Sequence, residues 1–166
     1  MRRLAASASL ALMLAAIVSG CASTPPAPES RPDDFAVRWG WDTGSLPPQH
    51  HRRMNLELAP DGTLEAERTE SYGNGPTTRA TATLTAAELD TLYRDLTELG
   101  AFSTDWQENE RPPIGGSSSW TRITAGGRTI VIPSFVVNTQ VRSAAAISDR
   151  VRALLPPLGP RPSTRG

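Results

Sequence analysis

Four groupings in this 166-residue sequence hold reactive side chains close enough along the chain to ask what chemistry they could do. Asp42-Thr43-Gly44-Ser45 sets a carboxylate among turn formers, a setting in which a loop aspartate can share a proton with a second carboxyl group. His50-His51 offers two imidazoles, but neighbours on an extended chain point to opposite sides. They cannot close on one metal as histidines at i and i+4 can, and they read as a solvated loop end. Ser117-Ser118-Ser119 follow Gly115-Gly116 without the G-x-S-x-G spacing of a nucleophile elbow, and no third partner completes a triad with the histidines. Asp105, Glu108 and Glu110 lack the alternation and the glycine of a calcium loop, so they read as charges that keep a loop soluble. No catalytic residue, metal site or cofactor is expected from these groupings, and enzymatic activity is not the expected role.

Two of the short strings carry a resemblance. Asp42-Thr43-Gly44-Ser45 resembles the D-T-G-S of aspartic proteases, which in a single-lobed chain would require dimerisation to pair two such loops. Leu46-Pro47-Pro48 stands where those proteases continue into a hydrophobic strand, and Gly100 stands at a helix end, so the string is read as a loop. Hydrolysis is the third-ranked function. Val18-Ser19-Gly20-Cys21 resembles the lipobox of bacterial lipoproteins: an aliphatic residue, two small ones, then cysteine. It follows a basic Met1-Arg2-Arg3 and an apolar run from Leu4 to Val18, shorter than the roughly 20 residues a spanning helix needs. The resemblance implies lipid attachment at Cys21, the one cysteine in the chain, and two or more acyl chains make such anchoring stable. By resemblance to enteric lipoproteins, Ala22 after the cysteine implies the outer membrane rather than the inner one, if the cell is Gram-negative.

Residues 1–20 are thus read as a signal peptide. Residues 21–34 follow as a lipidated tether, in which Thr24-Pro25-Pro26-Ala27-Pro28 and Pro32 favour extended, unpacked chain. One globular domain occupies 35–155, and 156–166 form an unstructured proline-rich tail. All 17 basic side chains are arginine, balanced by 17 acids; without Arg2 and Arg3 the mature chain carries 15 against 17, about −2. No basic stripe survives to hold a polyanion, so nucleic acid is excluded as a partner.

Inside the domain the periodicity is legible. Phe35, Val37, Trp39 and Trp41 alternate as one face of a strand; Met54, Leu56 and Leu58 form another, turned by Pro60-Asp61-Gly62 into a run around Leu64 and Ala66. Thr77 to Leu84 alternates as a further strand. Thr85 and Glu88 make a capping box for a helix whose Leu89, Leu92, Tyr93, Leu96 and Leu99 share a face, ending at Gly100 with Phe102 folding back. A hairpin about Gly126-Gly127 follows, then a closing helix with Val141, Ile147 and Val151 that stops before Pro156. The fold class is α+β: an antiparallel sheet of about five or six strands with two helices on one face.

What is left for function is surface. The connection from Ser103 to Ser118 exceeds the about 12–15 residues beyond which loops in compact domains are usually functional or disordered. It carries Trp106, Arg111, Gly115 and Gly116, and these with Trp41 and Trp120 make the candidate binding surface. Trp39 is assigned to the core; the other three tryptophans either cap its edge or stand exposed as anchors. The succession TGSLPP, PDGTL, LTAAELDTLYRDLTELGAF and PPIGGSSSWTRITAGGRTIVIPSF resembles a recurring family of small bacterial lipoproteins, which implies the domain but no activity. The order of elements is also similar to emfourin-type inhibitors of thermolysin-like metalloproteases, through the helix followed by a hairpin. The leading expectation is a non-catalytic, lipid-tethered envelope domain whose partners are the membrane, through its anchor, and an envelope protein or cell-wall material. Protease inhibition is the alternative.

Overall fold

The computed structural model describes residues 29–73 and 75–159. The signal segment, Cys21, most of the tether and the tail from residue 160 onward lie outside the described residues. Six strands form one antiparallel sheet: β1 (Ala36–Asp42), β2 (Arg52–Leu58), β3 (Thr63–Glu70), β4 (Thr77–Thr83), β5 (Ser118–Ala125) and β6 (Arg128–Ile132). Their spatial order is β4-β3-β2-β1-β5-β6, with helix α1 (Ala86–Glu98) between β4 and β5 in the chain and α2 (Val141–Arg152) after β6. The α+β architecture expected from the periodicity is the one found.

Register explains the core. Val37 lies between Leu58 and Ile123, which in turn oppose Leu64 and Ile130, so one row of aliphatic side chains crosses five strands. Trp39 heads the next row, between Leu56 and Thr121. Because strand side chains alternate between faces, these rows lie on one face and Arg38, Glu57 and Arg122 on the other. Leu89, Leu92, Tyr93 and Leu96 of α1 and Ile147 and Val151 of α2 complete the same buried cluster. Tyr93 is the aromatic hinge of that cluster, edge-on to Phe35 at 5.3 Å and tilted against Phe102 at 5.2 Å; burial raises its phenol above the ordinary range, against a smaller opposing pull from Thr97.

The local signals act as their chemistry requires. Thr85 accepts from the Glu88 N–H at 3.3 Å while the Glu88 carboxylate accepts from the Thr85 N–H at 2.7 Å, closing the capping box. The Thr85 N–H and hydroxyl, both donating to it, hold the Glu88 carboxyl below its ordinary pKa. The Asp61 carboxylate accepts the Thr63 N–H at 2.8 Å to close the β2–β3 turn. The helices are joined by Arg150 and Asp95 at 2.6 Å.

Residues flanking 35–155 make contacts with the domain at both ends. Of the segment read as tether, residues 29–34 are described, and there the Arg31 guanidinium pairs with Asp90 of α1 at 2.7 Å. Asp34 accepts two backbone N–H groups, from Gly126 and Gly127, at 2.6 Å each, so its carboxylate clamps the β5–β6 turn. Proline density at 25–32 hides this, because the ordering comes from distant partners. At the other end, the part of the tail that is described returns to β3, where Arg68 donates to the Leu158 carbonyl at 3.4 Å.

Candidate functional site

The loops of interest gather at one end of the sheet, where β1 ends at Asp42 and β5 begins at Ser118; the two residues are register partners. Two structures share that end: a polar clamp around Asp42 and a cleft beneath α2.

The clamp accounts for the D-T-G-S string. Asp42 Oδ1 accepts the Gly44 N–H at 2.6 Å, and Oδ2 faces His51 Nε2 at 3.0 Å and Arg53 Nε at 3.4 Å. The expectation of a solvated histidine pair holds for His50, which is exposed, and fails for His51, which is only 2 % exposed. His51 Nδ1 accepts the Tyr72 N–H at 3.2 Å, so its proton sits on Nε2 and is given to Asp42. The Tyr72 ring stacks on the imidazole at 3.6 Å, and its hydroxyl donates to the Leu46 carbonyl at 2.7 Å. Ser71 and Tyr72 both adopt left-handed backbone, φ 53° and 54°, a conformation that costs a non-glycine residue on the order of 1 kcal/mol or more. The His51 contacts hold them there. Both carboxylate oxygens and both ring nitrogens of the pair are thus occupied, and what the arrangement does is tie loop 43–51 to the β3–β4 connection.

Gly44 then ties that loop to the long one. Its φ is +72°, and a Cβ there would overlap the Gly116 carbonyl oxygen, so the two backbones touch. The long connection is anchored at its middle, where the Asn109 N–H donates to Phe135 O at 2.8 Å and the Val137 N–H to Gln107 O at 3.1 Å. Between Asn109 and Ser118 the chain projects, and Ile114 stands wholly exposed at the tip.

Under this flap lies a cleft of about 330 Å³, walled by the start of β5, the chain after β6 and one side of α2. Ser117, Ser119, Ser134, Ser148, Asn109 and Asn138 give it hydrogen-bonding groups; Ile132, Val136, Val141 and Pro113 give it apolar ones. None of its lining residues is ionisable. A hydroxyl relay enters it from the core: the buried Trp39 indole donates to Ser148 Oγ at 2.8 Å, and Ser148 donates to Ser119 Oγ at 3.1 Å. Among the described residues, no three His, Cys, Asp or Glu side chains converge as a metal site would require, and no helix is long and apolar enough to cross a membrane.

The six residues marked in the sequence as a binding surface are distributed rather than gathered. Trp106 is half-buried against the core and its Nε1 donates to Ala101 O at 3.1 Å, so it pins the loop at its root. Trp41 is half-buried on the helix-bearing face. Trp120 is exposed on the opposite face, leaning over Gly40, whose missing Cβ leaves the space for the indole. Trp41 and Trp120 meet Asp42, Arg53, Asn55 and Ser118 around a shallow recess of about 260 Å³. Arg111, Gly115 and Gly116 ride on the exposed flap. Sequence reasoning missed the cleft, because Ser134, Asn138 and Ser148 are isolated polar residues with no motif; the serine triplet was its one visible trace. No protein-family model and no curated protein matches this chain.

Proposed function

We propose that this protein is a non-catalytic binding module of the bacterial envelope, carried on a lipid at Cys21, that holds its ligand in the cleft between the long loop and α2. One observation carries the binding reading: the cleft beneath the flap combines hydrogen-bonding and apolar groups without a single titratable side chain. General acid–base chemistry needs a group that changes protonation near the working pH, and the one buried imidazole among the described residues, His51, is spent on Asp42 and Tyr72. The lipobox supports the anchoring. Mass spectrometry of the mature amino terminus is expected to find an acylated cysteine, and Cys21→Ser to release the protein from the membrane fraction; an unmodified thiol would end the anchoring claim. For the binding claim, amide resonances of Ser119, Ser134 and Asn138 are expected to shift on addition of ligand.

Inhibition of a metalloprotease is the second reading, favoured by Ile114, an aliphatic side chain fully exposed on the long loop. Titration into a thermolysin-like enzyme tests it. Undiminished proteolysis at saturating protein would remove it.

A further inference from the structure

We infer that the free edge of β4 is a self-association surface: it pairs antiparallel with β4 of a second copy of this chain, about a two-fold axis at Ala80, and joins the two sheets into one. The cleft plays no part in this pairing, so the inference stands apart from the binding reading above.

Hydrogen-bond parity sets which backbone groups are free. The β3–β4 ladder is flanked by the Leu84 N–H, which donates to Gly62 O at 2.9 Å, and the Glu70 N–H, which donates to Pro76 O at 3.3 Å. In the same register lie Leu64↔Ala82, Ala66↔Ala80 and Arg68↔Thr78. Antiparallel neighbours alternate between pairs that exchange bonds and pairs that do not, so the even-numbered residues of β4 face β3. The N–H and C=O groups of Thr77, Arg79, Thr81 and Thr83 therefore point away from the sheet, where no further strand follows among the described residues.

The two outer strands differ in protection. β6 has five residues and runs into Pro133, one of the usual ways to blunt an edge. β4 has seven residues in unbroken register, with threonine, alanine and one arginine and no proline. That arginine does not guard the edge, because Glu67 draws its Nε back over the sheet at 2.8 Å.

The sequence of β4 suits its own reverse. With Ala80 opposite Ala80, Thr77 meets Thr83 and Arg79 meets Thr81, so every outward-facing residue exchanges bonds with another outward-facing residue. A two-fold at Arg79 would instead set guanidinium against guanidinium and leave Thr83 without a strand partner. Charge agrees with the Ala80 register. Thr81 is the β3 neighbour of Glu65, so Arg79 would lie between Glu67 of its own chain and Glu65 of the second copy, all on one face. Two strand spacings, roughly 10 Å between Cα atoms, separate Arg79 from that Glu65, within the span of the two side chains. Glu65 lacks such a cation in the single chain: it stands opposite Glu57, and no ion pair holds it among the described residues.

The test uses the full-length, processed protein in non-denaturing detergent, followed by light scattering against concentration and by amide hydrogen exchange. A concentration-dependent dimer is expected, with the Thr77, Arg79, Thr81 and Thr83 amides slowed in it. Thr81→Pro removes an outward N–H and no bond to β3, so it is expected to keep the melting curve and raise the dissociation constant about tenfold or more, the effect of two lost hydrogen bonds across the symmetric pair. Ala80→Cys is expected to cross-link copies on oxidation, since directly opposed non-bonded residues have Cα atoms about 4.5 Å apart; Thr78→Cys, away from the axis, is not. The unsubstituted chain is the blank for Cys21. Arg79→Glu is expected to weaken the dimer about fivefold, and adding Glu65→Arg to restore it. This charge swap touches only exposed side chains and decides the matter should Thr81→Pro lower the melting temperature. A protein that stays monomeric, or a dimer that fails to cross-link through Ala80→Cys or ignores the charge swap, would overturn the pairing. Slow exchange at Thr81 that is independent of concentration and lost on removal of residues 160–166 would assign the edge to the chain's own tail and overturn it too.

Discussion

His51 Nε2 stands 3.0 Å from Asp42 Oδ2, with the proton on Nε2 because Nδ1 is occupied by the Tyr72 N–H. The relationship makes a sharp prediction about an apparently mild change. Asp42→Asn keeps an acceptor for the Gly44 N–H but turns an amide N–H₂ toward the imidazole N–H, and the ring cannot switch tautomer without losing Tyr72. The expected cost is about 1–3 kcal/mol by urea denaturation. His51→Ala is expected to cost about 2–3 kcal/mol, since it also removes the stacking surface of Tyr72. The two changes should be non-additive in a double-mutant cycle. Additive losses would show that the pair does not act as a unit.

Gly40 and Trp120 are predicted to be coupled in a similar way across two strands. Gly40→Ala is expected to destabilise by about 1–2 kcal/mol, the range for forcing an extra methyl into filled space, and to shift tryptophan emission to the red as Trp120 is pushed into water. In a Trp120→Ala background the same change should cost little. Equal costs in both backgrounds would mean the indole is not what fills the space.

Acid is expected to weaken the fold from its carboxylates. Asp34 is held below its ordinary value of 3.8 by the Gly127 and Gly126 N–H groups, Asp61 by the Thr63 N–H and hydroxyl, and Glu88, ordinarily 4.5, by Thr85. Each folded pKa lies below the unfolded one, so the contribution is complete above the unfolded value and is lost as pH falls through the folded one. Stability should therefore be flat above about pH 5 and decline below the 3.8–4.5 range. Asp34→Asn should flatten part of that decline and speed hydrogen exchange at Gly126 and Gly127. An unchanged acid limb in this variant would mean that Asp34 titrates alike in the folded and unfolded chain.

Thr85→Ala opens the capping box of α1 and is expected to cost about 1 kcal/mol, with Thr85→Ser close to neutral. Chemical denaturation of the two variants side by side distinguishes the cap from a general effect of substitution.

The elements were legible in the sequence wherever a local rule governs: period-2 runs for β1 to β4, Thr85 and Glu88 for the start of α1, and Gly126-Gly127 for the last hairpin. Non-local pairing was not legible. His51 is buried because Asp42, nine residues earlier, and Tyr72, twenty-one residues later, converge on it, and nothing adjacent to it announces that. Whether Trp106 caps the core edge or stands as an anchor was left open by the sequence, because its partner, the Ala101 carbonyl, carries no side-chain signature. The cleft is the extreme case: Ser119 and Ser148 are 29 residues apart, and their relay begins at Trp39, 109 residues before Ser148. Tertiary folding alone assembles such a set.

Asp34 seizes the β5–β6 turn, and β1 then runs seven residues to Asp42, about 23 Å at strand rise, before the clamp and the cleft begin. The incoming chain is thereby riveted to the pole opposite the mouth. Any force acting through residues upstream would load that foot of the molecule, while the flap with Ile114 stands at the other end of the sheet.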